Sequence, residues 1–176
     1  MAVTTLKGHV SRALDFYDKV DIYFGLGKTT PWLDESGNPD ESNPPTPKNT
    51  DELIDPAGYK KVESKFLVVP SDDGTGELTY RNSRWKIVPY DQALEKGARW
   101  VYVSSFIAYS EFPTDMSYRQ IAVFTRLKVA DDTASGKSNL LPEEVADQGI
   151  IEVIDNRTPV YREADQREKL VVIIEF

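Results

Sequence analysis

The sequence predicts a mostly β protein: an antiparallel, sandwich-like body with one N-terminal helix and a long acidic, proline-rich loop. Three observations carry this. Short runs rich in aromatic and β-branched residues recur between turn clusters. Residues 5–19 are the one stretch with clear helical spacing. Six of the eleven prolines fall between residues 31 and 57, where neither a helix nor a central strand can run through them.

Taken in order, Leu6, Val10, Ala13, Leu14 and Tyr17 make the stripe one buried helix face needs, and Thr4 or Thr5 can cap its start. Asp21 to Gly27 is a β-prone run closed by glycine. Lys61 to Val69 alternates apolar residues and stops at Pro70, and Glu77 to Val88 reads as a strand or hairpin around Asn82-Ser83. Asp91 to Gly97 is one helical turn with a glycine cap. Arg99 to Tyr109 and Tyr118 to Val129 are strands joined through residues 111–115, a connection suited to antiparallel neighbours. A polar loop with a short helix at Pro142 to Asp147 follows. Ile150 to Ile154, Thr158 to Arg162 and Leu170 to Phe176 complete the strands. The last is nearly continuous apolar sequence, which predicts a central strand covered on both faces.

At 176 residues the chain suits one domain, 1–176, able to bury roughly 70% of its unfolded surface. No cysteine is present, so disulfide scaffolds, cysteine zinc sites and thiol catalysis are excluded. No apolar run approaches the ~20 residues of a spanning helix, and the start lacks a signal-peptide profile, so neither membrane nor secretion is expected. The formal charge of −8 is concentrated. Residues 31–57 hold seven acidic residues against Lys48 alone, which is −6 and leaves −2 for the other 149. This stretch reads as an extended arm, either a solvated excursion or a segment lying along a partner. A basic cluster with interleaved aromatics is missing, so nucleic acid is not an expected partner.

Candidate chemistry is thin. His9, the single histidine, flanks the helix stripe and reads as a helix-surface residue. One histidine without cysteine leaves only carboxylates as zinc ligands, and no metal or other cofactor is expected. Glu111 and Asp115 flank a turn, as do Asp72, Asp73 and Glu77; acidic residues in turns are ordinary, so catalysis is not expected, although a hydrolase using Glu111 and Asp115 is a rival. The Asp72–Glu77 run lacks the twelve-residue calcium pattern. Gly25 to Thr30 ends in Gly-Lys-Thr, but a phosphate loop needs glycine where Ile22 stands, and Pro31 blocks the helix that should follow. A different rival is a carbohydrate-binding β-sandwich, a receptor-binding module with Tyr80, Trp85 and Tyr90 as an exposed aromatic platform. Trp32, after Pro31 at the mouth of the arm, is either a plug packing back on the sheet or an interface anchor.

Several strings occur in a telling order. A helix ends Leu14-Asp15-Phe16-Tyr17; then come Ile22-Tyr23-Phe24-Gly25, Pro31-Trp32, Tyr118-Arg119-Gln120-Ile121, Asp155-Asn156-Arg157-Thr158-Pro159 and a terminal apolar strand closing on Phe176. Together they resemble the baseplate wedge proteins of contractile-tailed bacteriophages, specifically the β-rich, dimeric wedge subunit that bridges the wedge core and the peripheral baseplate. This chain is much shorter than the two-domain members, so the resemblance implies that one domain is kept and the inserted one dropped. It further implies a non-enzymatic virion protein assembled in the host cytoplasm, which scaffolds the wedge and arm by homodimerisation and by binding other baseplate proteins. The residues singled out for an interface are Pro31, Trp32, Arg119 and Arg157, the arginines because guanidinium is favoured in buried interface pairs.

Overall fold

The structure, a computed structural model, describes residues 2–27, 29–40, 44, 50–108, 111–112, 117–163 and 166–176. It is mostly antiparallel β with an N-terminal helix, the class the sequence predicts. The chain divides into two compact units. The first comprises Met1–Val20, Val62–Ser105 and Lys169–Phe176; the second comprises Asp21–Lys61 and Phe106–Glu168.

The first unit opens with helix α1, Leu6–Tyr17. Thr5 caps it, its hydroxyl accepting the Gly8 N–H at 3.2 Å, which satisfies one of the donors a helix start leaves open. The buried face is Val10, Ala13 and Phe16, whereas Leu6, expected in that stripe, is exposed. Its sheet runs in the order β12-β6-β3-β5-β4, with β3 at Ser64–Pro70, β4 at Leu78–Tyr80, β5 at Ser83–Ile87, β6 at Trp100–Ile107 and β12 at Glu168–Glu175. β4 and β5 form the expected hairpin, its turn one residue earlier than Asn82-Ser83 because Ser83 already pairs with Tyr80. Its two turn residues are Arg81 and Asn82, at φ of 46° and 64°, the positive pair that matches the strands' twist. A 3-10 turn at Tyr90–Gln92 leads into α2, Ala93–Lys96, and Gly97 ends it in the left-handed region as expected.

The second unit is built on a sheet of order β11-β7-β1-β2-β9. Its strands are β1 at Ile22–Gly27, β2 at Gly58–Lys61, β7 at Ser117–Thr125, β9 at Asn139–Leu140 and β11 at Ile150–Tyr161. A two-stranded ribbon of β8, Lys128–Val129, and β10, Val145–Asp147, completes it. Central strand β1 is buried along its whole length. Below it lies an apolar cluster of Tyr23, Leu53, Tyr59, Ala122, Phe124, Leu127 and Leu140.

Four expectations are corrected. The strands β6 and β7 are not neighbours: β6 lies beside β3 and β12, β7 beside β1 and β11, so the connection between them changes sheets. The terminal strand β12 sits at a sheet edge and alternates buried and half-exposed residues, because only one of its faces meets the helix side. The run Lys61 to Val69 is broken at Val62-Glu63 into parts of β2 and β3. Finally, Ile150–Ile154 and most of Thr158–Arg162 merge in one strand, β11, which begins just after Gly149 and ends at Tyr161. Gly149 has φ 78°, and a Cβ there would meet the Thr125 carbonyl oxygen at 2.3 Å.

Candidate functional site

The strand β11 is twelve residues long and stands at the end of its sheet, with β7 on one side. Its register to β7 jumps between Asn156 and Val160: Asn156 faces Gln120, but Val160 faces Tyr118. Three residues, Arg157, Thr158 and Pro159, therefore stand opposite Arg119 alone. Such a bulge bends the strand and re-aims its side chains, and Pro159 is tolerated here because an edge position asks less of its missing N–H.

Beside the bulge is a recess of about 230 Å³ lined by Trp32, Pro44, Asn156, Arg157, Thr158 and Pro159. The structure thus brings together Trp32 and the Asn156–Pro159 string, which lie more than a hundred residues apart in sequence. Trp32 is only 3% exposed, so its indole acts as a plug within this chain. Pro31 beside it is half-buried. Arg119 is buried, and its Nη1 donates to the Thr29 carbonyl at 3.2 Å, fixing the backbone just before Pro31. Arg157 is half-buried, with Nε donating to Asp155 Oδ2 at 2.9 Å, so its charge is held beside the recess by a local carboxylate. Behind both, Gln120 Nε2 donates to Asn156 Oδ1 at 2.9 Å and pins the strand at the foot of the bulge.

The arm is anchored at both ends. Asp34 Oδ1 accepts the N–H groups of Ser36 and Asn38 at 2.9 and 2.8 Å, closing a tight turn bridged by Leu33 and Pro39. Those bonds hold the Asp34 carboxyl below its usual value, the Asn38 N–H contributing most. Leu53 is buried, and its backbone N–H and carbonyl are both met by the Gln148 amide, at 2.9 and 3.4 Å. Trp32 and Leu53 are thus buried against the body, while Leu33 and residues 35–39 between them are exposed, as a solvated loop requires; 41–43 and 45–49 lie outside the described residues.

Sequence inspection missed two buried cations. Lys60, 2% exposed, reaches Glu111 Oε1 at 2.6 Å; Glu111 also takes the Ala108 N–H at 2.9 Å. Arg162, just beyond β11 and 5% exposed, donates Nη2 to the Ala108 carbonyl. Nothing local signals either partner, since both contacts span 50 residues or more.

The remaining candidates go elsewhere. His9 is half-buried on α1. Asp115 lies outside the described residues; of the candidate pair Glu111 is placed, and it is taken up by Lys60 and the Ala108 N–H. Asp73 accepts from Ser71, Thr75 and Lys86, and Glu77 from the Ile87 N–H, so these carboxylates organise their own turn. Gly25 and Gly27 are strand residues within β1, not a phosphate loop. Among the described residues no group of three His, Asp or Glu could hold a metal ion, and no helix is long and apolar enough to cross a membrane. The three rings of the carbohydrate platform take separate partners. Tyr90 packs on Tyr17 and bonds Asp18, Trp85 stands edge-on to Trp100, and Tyr80 lies under Arg81.

Comparison with known proteins agrees with the resemblance read from the sequence. A family model described as "Baseplate wedge 3 tail fiber network component" matches residues 1–176. The chain is also similar to "Virion protein 3" of Enterococcus phage phiEF24C, at 33% identity over 183 residues, covering 99% of this chain and 96% of that protein. The chain belongs to the baseplate wedge 3 tail fiber network component family, the virion structural proteins of a phage baseplate.

Proposed function

We propose that this protein is a non-enzymatic scaffold subunit that joins baseplate wedge and arm proteins and pairs with a second copy of itself. The observation that carries the reading is β11, a twelve-residue strand at a sheet edge. An edge strand offers a row of backbone donors and acceptors to another chain, and such an edge is either blunted or used. Here it carries exposed Ile150 and Tyr161 near its ends, the latter 74% exposed. Two copies of β11 meeting antiparallel about a two-fold axis would continue the sheet, the self-complementary arrangement most dimers adopt. The recess at the bulge, with Pro31, Trp32, Arg119 and Arg157 around it, is then the specificity element beside the edge. Assembly in the host cytoplasm, before incorporation in the virion, follows from that role.

The test is the protein's mass in solution, alone and with neighbouring baseplate proteins, by sedimentation. A dimer, or a complex with a baseplate protein, is the expected result. A strict monomer that binds none of them would sink the scaffold reading.

A further inference from the structure

The sheet of the first unit has two unlike faces. Registers place Lys65 opposite Val103 and Leu67 opposite Val101 on one face. That face meets α1: the Lys65 ammonium donates to the Lys19 carbonyl and lies 5.3 Å from the Tyr17 ring centre. Toward the sheet edge the same face turns polar, with Thr79 opposite Arg84 and then Lys86, as a solvated surface should.

The other face does not turn polar. Phe66 stands opposite Tyr102, Val68 opposite Trp100, Pro70 opposite Trp85, and Leu78 again opposite Trp85, with Tyr80 at the outer strand. Apolar and aromatic side chains thus run across β6, β3, β5 and β4. Val68 and Tyr102 at its centre are buried beneath their neighbours, Phe66, Trp85, Trp100, Leu78 and Tyr80 are each half-buried, and Pro70 and Ile87 are exposed. Cations lie over its rings: Arg81 over Tyr80 at 5.4 Å, Arg99 over Trp100 at 4.5 Å and Lys169 over Tyr102 at 5.9 Å. Carboxylates are present as well: Glu175 pairs with Arg99 at 2.9 Å, and Glu77 accepts the Ile87 N–H at 3.1 Å.

We propose that this aromatic face docks residues 40–52 of a second copy of this chain. Proline-rich segments are recognised by aromatic-lined surfaces, because a pre-extended chain loses little entropy when it lies on flat rings. Residues 40–52 carry Pro44, Pro45 and Pro47, with Asp40, Glu41, Asp51 and Glu52 against Lys48, a net −3. The charge is opposite to that of Arg81, Arg99 and Lys169, and prolines flanked by carboxylates match rings flanked by cations. Length fits as well: the four strands β6, β3, β5 and β4 span about 14 Å at ~4.8 Å spacing, which about five residues of extended proline-type chain cover. Pro44 is exposed at the rim of its own recess, within reach of another molecule. The surface is built from other strands than β11, so it is argued independently of the strand-edge contact.

The test uses the full chain with Asp40→Asn, Glu41→Gln, Asp51→Asn and Glu52→Gln, which clears the face of its own arms. To it is added a synthetic peptide of residues 40–52, while the indole N–H NMR signals of Trp32, Trp85 and Trp100 are followed. The expected result is saturable movement of the Trp85 and Trp100 signals with Trp32 unchanged. Affinity should fall about tenfold or more for a charge-neutralised peptide or one with the prolines replaced by alanine, and should fall with salt. No movement at millimolar peptide, or equal binding of the neutral peptide, overturns the proposal. So does movement of the same signals by an oligosaccharide and not by the peptide. Arms that dock within one molecule would leave the wild-type indole signals independent of protein concentration, and that also overturns it. A dimer whose indoles ignore the peptide removes this face only; a monomer that binds the peptide removes the strand-edge pairing only.

Discussion

Lys60 Nζ lies 2.6 Å from Glu111 Oε1, with the lysine almost wholly shielded from water and the carboxylate about one-fifth exposed. The pair ties β2 to the start of the connection leading to β7, and the Asn139 amide adds a second tie to the Glu111 carbonyl at 2.9 Å. Burial pushes the Glu111 carboxyl up, but the Lys60 and Ala108 hydrogen bonds and the Lys60 and Arg162 charges outweigh it, so it titrates below the usual glutamate value. A carboxyl lowered in the folded state adds stability that is complete above its unfolded pKa and is lost as pH falls through the folded one. Stability should therefore decline below the ordinary glutamate range, and Glu111→Gln should flatten that decline in denaturant melts taken across acid pH. Glu111→Ala should cost about 2–3 kcal/mol at neutral pH, while Lys60→Met with Glu111→Leu should restore most of it.

Trp32 separates structural from interface roles. Because the indole is buried in the single chain, Trp32→Ala should cost about 3–4 kcal/mol in equilibrium unfolding, by loss of contacts and a residual cavity. An unchanged midpoint would mean that the indole is exposed in solution and available to a partner.

Gly25 tests the Phe24-Gly25 string. A Cβ there would lie 2.4 Å from Phe124 Cε2, and that ring is itself fully buried. Gly25→Ala should destabilise by about 2 kcal/mol through overpacking, with little effect on partner binding once folded. Thermal melts read it directly.

The edge strand predicts a change in association without one in folding. Ile150→Lys with Tyr161→Lys places charge on exposed positions of β11. Sedimentation should show loss of the proposed self-association, while the melting temperature measured at low concentration moves little.

Tyr59 offers a spectroscopic check of the second unit's core. Burial pushes its phenol up to about 12. Alkaline titration at the phenolate absorbance should show this ring ionising well after the exposed tyrosines near pH 10. Since its folded pKa is raised, the stability it contributes is complete below the unfolded value and lost as pH rises beyond it. Tyr59→Phe should retain stability through that range.

What the sequence by itself determined is local. A threonine at the helix start, a hairpin turn at Asn82, Gly97 at a helix end and the β-prone run Asp21–Gly27 each act through neighbours a few residues away, and the structure has them within one residue of expectation: Thr5 of the two candidate threonines caps, the turn is Arg81-Asn82, and the strand begins at Ile22. The class, mostly antiparallel β with one N-terminal helix, is the sum of such signals, and the ordered strings pointed to the family. Tertiary structure decided what depends on distant partners. β6 and β7 are equally apolar, and nothing within either says that they join different sheets. β12 looks central by composition yet is an edge strand, because burial on one face alone can sustain it. Trp32 meets the Asn156–Pro159 bulge, and Lys60 meets Glu111, only when separate strands have paired in register. Local propensity is set by each residue's own backbone and nearest turn; register and edge are set by which strand arrives alongside, and that choice is made by the whole chain.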